Sequence, residues 1–588
     1  MQSILLAALA ATGCGPSEPS FAGLKSVRDR APESGLQDHW GGTFRLGRAC
    51  AVADFDTDGR LDVYLGNPGN ASYVLFNRTE PGGALTFEPG DAPLTNNALY
   101  WSAAAGDYDN DGDPDLAIAG GGNEGVAFDV LWQNRVDAPG QARMVDVTAT
   151  AGIEAPLFDG EPREPTPTGG AIWADWNNDG LLDLYLAGNI KPFEGFESLN
   201  PDSVLGRNGL WENQGDGTFV LRTRQYGMTP QYPTRHSTFL DYDNDGDLDL
   251  FENNFHAENI LWKNLLTETG ETGFVDVTQQ VGIDGTDLRY PRVSFASTTA
   301  DLNNDGWLDL IVFVRGEPGL GPHLDGHTLF LNVNGRFVDA TELSGIGATF
   351  EDGGDRGDGI NEGVMGCQVG DVNADGTPDL YVGNGGPLAG NDDNLYLSNG
   401  RSLVLITSEG SVTVPRYVDA STMVAFPAPQ IDDPVLVYPE YPYRTHGTCI
   451  ADLDDDGMNE VLVLNGGMAE DPRLVREPNR LFDFEPKGKP PNSLRIHPDG
   501  DGVRVNRDGI GTRVRALVRD DATERTWQVT GVLLGGSAFS ANLGPDIFLG
   551  LGEADTVLEL EVRWPDGHVT EVDPAEIPGP RSRIVVAR

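Results

Sequence analysis

One nine-residue pattern, D-x-[DN]-x-D-G-x-x-[DE], occurs seven times along this 588-residue chain and limits its fold more than any other feature. The copies begin at Asp54, Asp107, Asp175, Asp241, Asp301, Asp371 and Asp452, so the repeat averages about 66 residues. Common propeller blades run to ~40–50 residues, and inserted loops account for the excess. Each copy lies between short apolar or alternating runs, such as ACAVA before the first and LDVYLGN after it, which read as strands. A further run follows in most units (VLFN, VLWQN, LWEN, ILWKN, LFLN, LYLSN), and another appears as MVDVTATAGI, FVDVTQQVGI or FVDATELSGI. Four strands per unit make one propeller blade. The last unit breaks off at the Pro-rich EPKGKPP, while FAGLKSVRDRAPESGL, from Phe21, echoes the last run of the other units. This segment is expected to supply the missing outer strand and close the ring, which removes open sheet edges.

The acidic nonapeptides predict metal binding. Clustered carboxylates resist ionisation together unless a cation sits among them. Positions 1, 3, 5 and 9 offer side-chain oxygens, Gly at 6 allows the bend, and a backbone carbonyl at 7 is the expected addition. The predicted ligands are Asp54, Asp56, Asp58 and Asp62; Asp107, Asp109, Asp111 and Asp115; Asp175, Asn177, Asp179 and Asp183; Asp241, Asp243, Asp245 and Asp249; Asp301, Asn303, Asp305 and Asp309; Asp371, Asn373, Asp375 and Asp379; Asp452, Asp454, Asp456 and Glu460. An all-oxygen, irregular shell suits Ca²⁺ better than Mg²⁺ or Zn²⁺, so up to seven calcium ions are expected. An EF-hand carries its last acid at position 12 between helices, which excludes that reading.

These loops resemble the FG-GAP or VCBS calcium repeats of integrin-α-like propellers, over residues 46–486. The resemblance implies an all-β fold, a seven-bladed β-propeller with calcium in its blade loops. Beyond the linker, residues 490–588 alternate apolar and polar residues at period two, as in TRVRALVRD and TVLELEVRWPDG, and form a second, small β domain. NRDGIGTRV, GSAFSAN, FLGLG and VRWPDG there resemble the ASPIC and UnbV domain, which follows such repeats in secreted proteins.

The first 13 residues read as a signal peptide, with Ala11, Thr12 and Gly13 leading into Cys14 as in a bacterial lipobox. Cys14 is therefore the expected lipidation site, residues 14–45 a linker holding the ring-closing segment, and the chain an exported outer-membrane or cell-surface lipoprotein. With 91 acidic and 40 basic residues the formal net charge is −51, a field that repels phosphate backbones and excludes nucleic-acid partners. Membrane contact is expected only through the lipid, and the chain is expected to be monomeric.

Three cysteines, Cys50, Cys367 and Cys449, precede the loops of blades 1, 6 and 7. Either a Cys50–Cys449 disulfide or buried thiols on inner strands satisfies that placement. Arg356, Gly357 and Asp358 spell RGD inside an Asp/Gly-rich loop, where chance accounts for it. Arg48, Trp101, Arg235, His236, Arg292, Arg444 and His446 lie five to nine residues before a loop aspartate, at the face opposite the acidic loops. They are candidates for an anion or glycan site, with rim residues paired to local acids as the alternative. No P-loop, HExxH or GxSxG elbow occurs. The functional expectation is a binding or adhesion module for an extracellular protein or glycan, and the rival is an enzyme acting on polysaccharide or another extracellular substrate at the channel mouth.

Overall fold

A computed structural model describes residues 24–36, 49–66, 72–80, 83–90, 94, 100–120, 129–153, 168–188, 208–229, 232–254, 257–283, 294–314, 327–346, 364–384, 393–407, 410–424, 445–465, 479–536 and 544–588. Cys14, Arg48, Arg292, Arg444 and the Arg356–Asp358 tripeptide lie outside them. Among the described residues no helix is long and apolar enough to cross a membrane.

Each acidic nonapeptide joins the first two strands of a four-stranded antiparallel sheet. Blade 4 illustrates the plan, with Thr234–Leu240 innermost, then Asp249–Asn254, Ile260–Asn264 and Phe274–Asp276. Position 9 of the loop opens the second strand and pairs with the last residue of the first, as Leu240 with Asp249 and Ala451 with Glu460. Inner strands such as Thr168–Ala174 are buried along their whole length, because blades pack on both of their faces. Small residues (Gly169, Gly170, Ala171) permit that approach, and a Cβ at Gly169 would lie 2.0 Å from the Arg235 carbonyl oxygen.

Seven such sheets make the propeller. The innermost strand of each lies against that of the next, and the strand Thr445–Ala451 of blade 7 lies against Cys50–Ala53 of blade 1. Leu24–Asp29 pairs antiparallel with Arg480–Pro486, so the outer strand of blade 7 comes from the other end of the chain, as the sequence predicts. The motif is the same as elsewhere: a strand, one helical turn (Ala31–Ser34) and a left-handed glycine, Gly35 at φ 87°. Thr278–Val281 with Gly282 repeats it in blade 4. Cys50 and Cys449 form a disulfide between blades 1 and 7, with Cα atoms 6.8 Å apart, which decides between the two cysteine readings. Cys367 is buried.

The C-terminal region, from Asn492, folds as two sheets. Asn492–Asp499 runs antiparallel to Ile547–Gly552 and parallel to Ser582–Ala587, while Arg513–Arg519 lies between Thr526–Val532 and Thr556–Arg563. Its apolar core is continuous with the propeller: Ile496, Val514, Leu549 and Trp564 belong to one buried cluster with Tyr108, Trp173 and Leu182 of blades 2 and 3.

Candidate metal centres

The nonapeptides adopt one backbone conformation. Position 6 is a glycine in the left-handed region, from Gly59 at φ 93° to Gly457 at φ 89°. Position 4 is left-handed too, at Thr57, Asn110, Asn178, Asn244, Asn304, Ala374 and Asp455, with φ from 53° to 61°. Asparagine tolerates that region best after glycine, which accounts for four of the seven residues. The position-1 carboxylate then accepts the N–H groups of positions 5 and 6: Asp111 and Gly112 donate to Asp107 at 3.0 and 2.7 Å, Asp305 and Gly306 to Asp301 at 2.9 and 2.8 Å. Position 5 accepts from the N–H of position 7, as Asp58 from Arg60 at 3.1 Å.

Position 9 is the most buried ligand. Asp62, Asp115, Asp183, Asp249, Asp309 and Asp379 have no exposed surface, and Glu460 is 2% exposed. One oxygen of Asp115 accepts the N–H of Tyr108 at 3.1 Å and the other accepts the N–H of Asn134 at 2.7 Å. The same pair recurs for Asp249 with Tyr242 and Asn264, and for Asp309 with Leu302 and Asn332.

The asparagines ending the third strands were quoted in the sequence runs above, yet their duty was not foreseen. In blades 1 to 5 the side-chain amide reaches into the preceding blade, while in blade 6 Ser398 takes the equivalent place, its N–H donating to Asp379 at 2.8 Å. Asn134 donates to the Phe55 carbonyl at 2.7 Å, Asn213 to Tyr108 at 2.8 Å, Asn264 to Trp176 at 2.8 Å and Asn332 to Tyr242 at 2.7 Å. Asn77 donates to Leu453 at 2.8 Å and so joins blade 1 to blade 7. A second series uses position 4: Asn110, Asn178, Asn244 and Asn304 donate to the carbonyls of Gly180, Gly246, Gly306 and Gly376 in the following loops. The loops thus form a connected belt on one face of the propeller.

Carboxylates converge within these loops. Asp54, Asp56 and Asp58, Asp107, Asp109 and Asp115, Asp241, Asp243 and Asp249, and Asp452, Asp454 and Glu460 each present oxygens within 4.8 Å of one another. Loops 3, 5 and 6 carry Asn177, Asn303 and Asn373 at position 3, and there the amide oxygen accepts the position-5 N–H, at 3.1 Å from Asp179 and 3.0 Å from Asp305 and Asp375. Burial pushes the carboxyls up: Asp62 to about 8, Asp175 to about 7 and Asp54, Asp241 and Asp301 to about 6, with neighbouring loop carboxylates adding to the rise. Buried oxygens of Asp56, Asp109, Asp183, Asp243 and Asp452 have no hydrogen-bond partner. A carboxylate oxygen left so in a low-dielectric site costs several kcal/mol unless a cation meets it.

Trp101, Arg235 and His446 occupy β-bulges at the start of their inner strands, where the register skips one residue. A bulge re-aims its side chain. Arg235 stands 5.5 Å from the ring centroids of both Trp101 and Phe295, and so bridges blades 2, 4 and 5. Arg235, His236 and His446 are all buried, and burial pushes His236 down to about 3, leaving it uncharged at neutral pH.

The C-terminal region covers the loop face, which the sequence did not reveal. Its side chains reach position-1 aspartates directly: Arg507 stands 3.9 Å from Asp107, Arg513 3.8 Å from Asp241 and Arg495 3.5 Å from Asp452, and Thr530 donates to Asp301 at 2.9 Å. The Trp173 N–H donates to the Gly535 carbonyl at 3.0 Å. Cavities lie along the seam among the described residues. One of about 120 Å³ lies among Ile450, Val529 and Leu549, and one of about 300 Å³ lies among Asp241, Arg513 and Trp564.

Comparison with known proteins agrees with this architecture. Residues 54–118, 175–252 and 301–382 match the FG-GAP-like repeat, and residues 502–579 match the ASPIC and UnbV family. Cartilage acidic protein 1 of Xenopus tropicalis is 23% identical over 535 residues, covering 82% of this chain and 73% of that protein. The Homo sapiens protein of that name is 21% identical over 542 residues, covering 82% of this chain and 71% of its own length. Among solved structures, the Bacillus licheniformis rhamnogalacturonan lyase PL11 is 12% identical with a TM-score of 0.28, covering 76% of this chain and 91% of the lyase. The Trypanosoma rangeli sialidase is 10% identical with a TM-score of 0.32, covering 81% of this chain and 73% of the sialidase. Likenesses at that level say nothing of activity. The chain is an FG-GAP-like repeat propeller carrying an ASPIC and UnbV domain, similar over most of its length to cartilage acidic protein 1.

Proposed function

We propose that this chain is a calcium-stabilised, exported binding module whose partner is an extracellular protein or glycan. The observation that carries the calcium reading is the set of buried, unpartnered carboxylate oxygens on Asp56, Asp109, Asp183, Asp243 and Asp452, inside loops whose donors are all oxygen. A bound Ca²⁺ supplies the flexible coordination those oxygens lack, while Arg78, Lys263 and Arg495 meet the other oxygen of Asp56, Asp243 and Asp452. The chain's own residues do the rest. Position-9 carboxylates, held by two backbone N–H groups in loops 1, 2, 4, 5 and 6, anchor their hairpins to the second and third strands, and the asparagine amides pass that rigidity to neighbouring blades.

Glu252 and Asp508 are raised carboxyls outside the acidic loops. Glu252 accepts from Trp262, Tyr185 and Asn208 at 2.9, 2.9 and 2.6 Å, and Asp508 accepts the Asp107 N–H at 2.7 Å. Both carboxylates hold the fold together. Resemblance to proteins named for cartilage supports an extracellular setting, and the lipobox-like Cys14 supports a lipid anchor.

Calorimetric titration of metal-free protein with Ca²⁺ tests the metal reading, and absence of heat or of stabilisation refutes it. A pull-down from intact cell envelopes, with and without Ca²⁺, tests the binding role. Labelling with a fatty-acid analogue tests the anchor, which is refuted if Cys14→Ser keeps the label.

A further inference from the structure

The strand register places one third-strand residue equivalently in every blade, next to the residue that pairs with the one after position 9. It is Phe76, Gln133, Glu212, Lys263, Leu331, Leu397 and Asp483 in blades 1 to 7. A polar side chain at this place reaches the loop: Gln133 donates to the position-3 carboxylate of Asp109 at 2.5 Å. In blade 4 the group is an ammonium. Lys263 Nζ bonds the Asp243 carboxylate and lies 2.9 Å from Asp245 Oδ2 and 2.5 Å from Glu268 Oε1. Those three acids converge within 4.8 Å, and Glu268 belongs to a helical turn, Leu266–Thr269, found in this blade directly after the third strand. The Lys263 side chain is 15% exposed and stands 5.8 Å from the centroid of the Tyr242 ring, so it is packed in place.

Resting on the calcium reading, we propose that Lys263 is a built-in counter-ion that closes the blade 4 hairpin without metal and weakens divalent-cation binding there. An ammonium held among three carboxylates supplies the neutralisation that a divalent ion supplies elsewhere, and it repels an ion that enters the same loop. Arg78 does this less completely in blade 1, where it meets two carboxylates, Asp56 at 2.7 Å and Asp58 at 3.0 Å, from a side chain 28% exposed. Blades 3 and 7 place Glu212 and Asp483 at the equivalent position, each paired with an arginine, Arg222 at 3.2 Å and Arg30 at 2.6 Å.

The test uses full-length Lys263→Met and Lys263→Arg proteins, titrated calorimetrically with Ca²⁺ after metal removal and melted with and without excess Ca²⁺. Lys263→Met is expected to bind one ion about tenfold more tightly than the parent, or to gain one measurable ion. It should also lose melting temperature in metal-free buffer and recover it in Ca²⁺, while Lys263→Arg tracks the parent in both assays. An unchanged isotherm, or a melting loss equal with and without Ca²⁺, overturns the proposal while leaving the calcium reading intact. A parent protein that binds no Ca²⁺ removes both. Lys263→Gln, which keeps a hydrogen-bond donor without charge, carries the same test if the methionine variant does not fold.

Discussion

Metal-free protein should grow less stable as pH rises from about 4 towards about 8, and Ca²⁺ should abolish that slope. Burial, with neighbouring carboxylates, raises Asp62 from 3.8 to about 8, and Asp175 and Asp452 to about 7. Because the folded-state pKa exceeds the unfolded one, the folded chain holds more protons between those values, and stability falls with pH across the window. At about 1.4 kcal/mol per pKa unit, ionising Asp62 in the metal-free fold costs on the order of 5 kcal/mol, and several loops add to it. An ion reverses the sign, since binding needs the deprotonated ligands and strengthens as they ionise. The assay is a series of thermal melts across that pH range on protein stripped of metal by resin, with and without added Ca²⁺. Metal-free melting temperatures that stay level or climb with pH would refute the reasoning, as would an identical slope in Ca²⁺.

Three further outcomes are expected. Asn332→Ala strands the carbonyls of Tyr242 and Leu308, bonded at 2.7 and 3.1 Å, and should cost about 2–4 kcal/mol in denaturant unfolding; a change under about 0.5 kcal/mol would show that the inter-blade amide is dispensable. Replacing Cys50 and Cys449 by serine opens a link spanning 399 residues and should cost about 2–5 kcal/mol, read as a melting shift that reductant reproduces in the parent; equal melting of the two proteins contradicts it. A Cβ at Gly535 would lie 2.0 Å from the Trp173 carbonyl oxygen, so Gly535→Ala should loosen the seam by about 1–3 kcal/mol and speed proteolysis between the propeller and the C-terminal region; unchanged cleavage argues against that contact.

The acidic hairpins, their flanking strands and the origin of the seventh outer strand were all legible in the chain, because each rests on residues within about one repeat or on an echo of that repeat. Gly at position 6 was legible for the same reason. The left-handed position 4 was visible only as a frequent asparagine, whose meaning depends on a backbone angle. The third-strand asparagines were legible as letters and opaque as contacts: Asn77 meets Leu453 across 376 residues, and no local spacing encodes that meeting. Trp101, Arg235 and His446 stood out as scarce cations and aromatics. The bulges that turn them inward arise from strand pairing.

What the sequence determined by itself is the repeated unit: seven oxygen-lined hairpins, each between strands of short-range periodicity, in a strongly acidic chain. What the tertiary structure alone decided is how the units answer one another. The disulfide became a pair only when blades 1 and 7 met, Lys263 became a counter-ion only when its strand lay beside the loop, and the C-terminal arginines found position-1 aspartates only when that region settled over the face. The reason is physical. Hydrogen-bond periodicity and turn chemistry act between near neighbours in the chain, whereas burial, ion pairing and carbonyl satisfaction act between surfaces, and their partners exist only once the surfaces are formed.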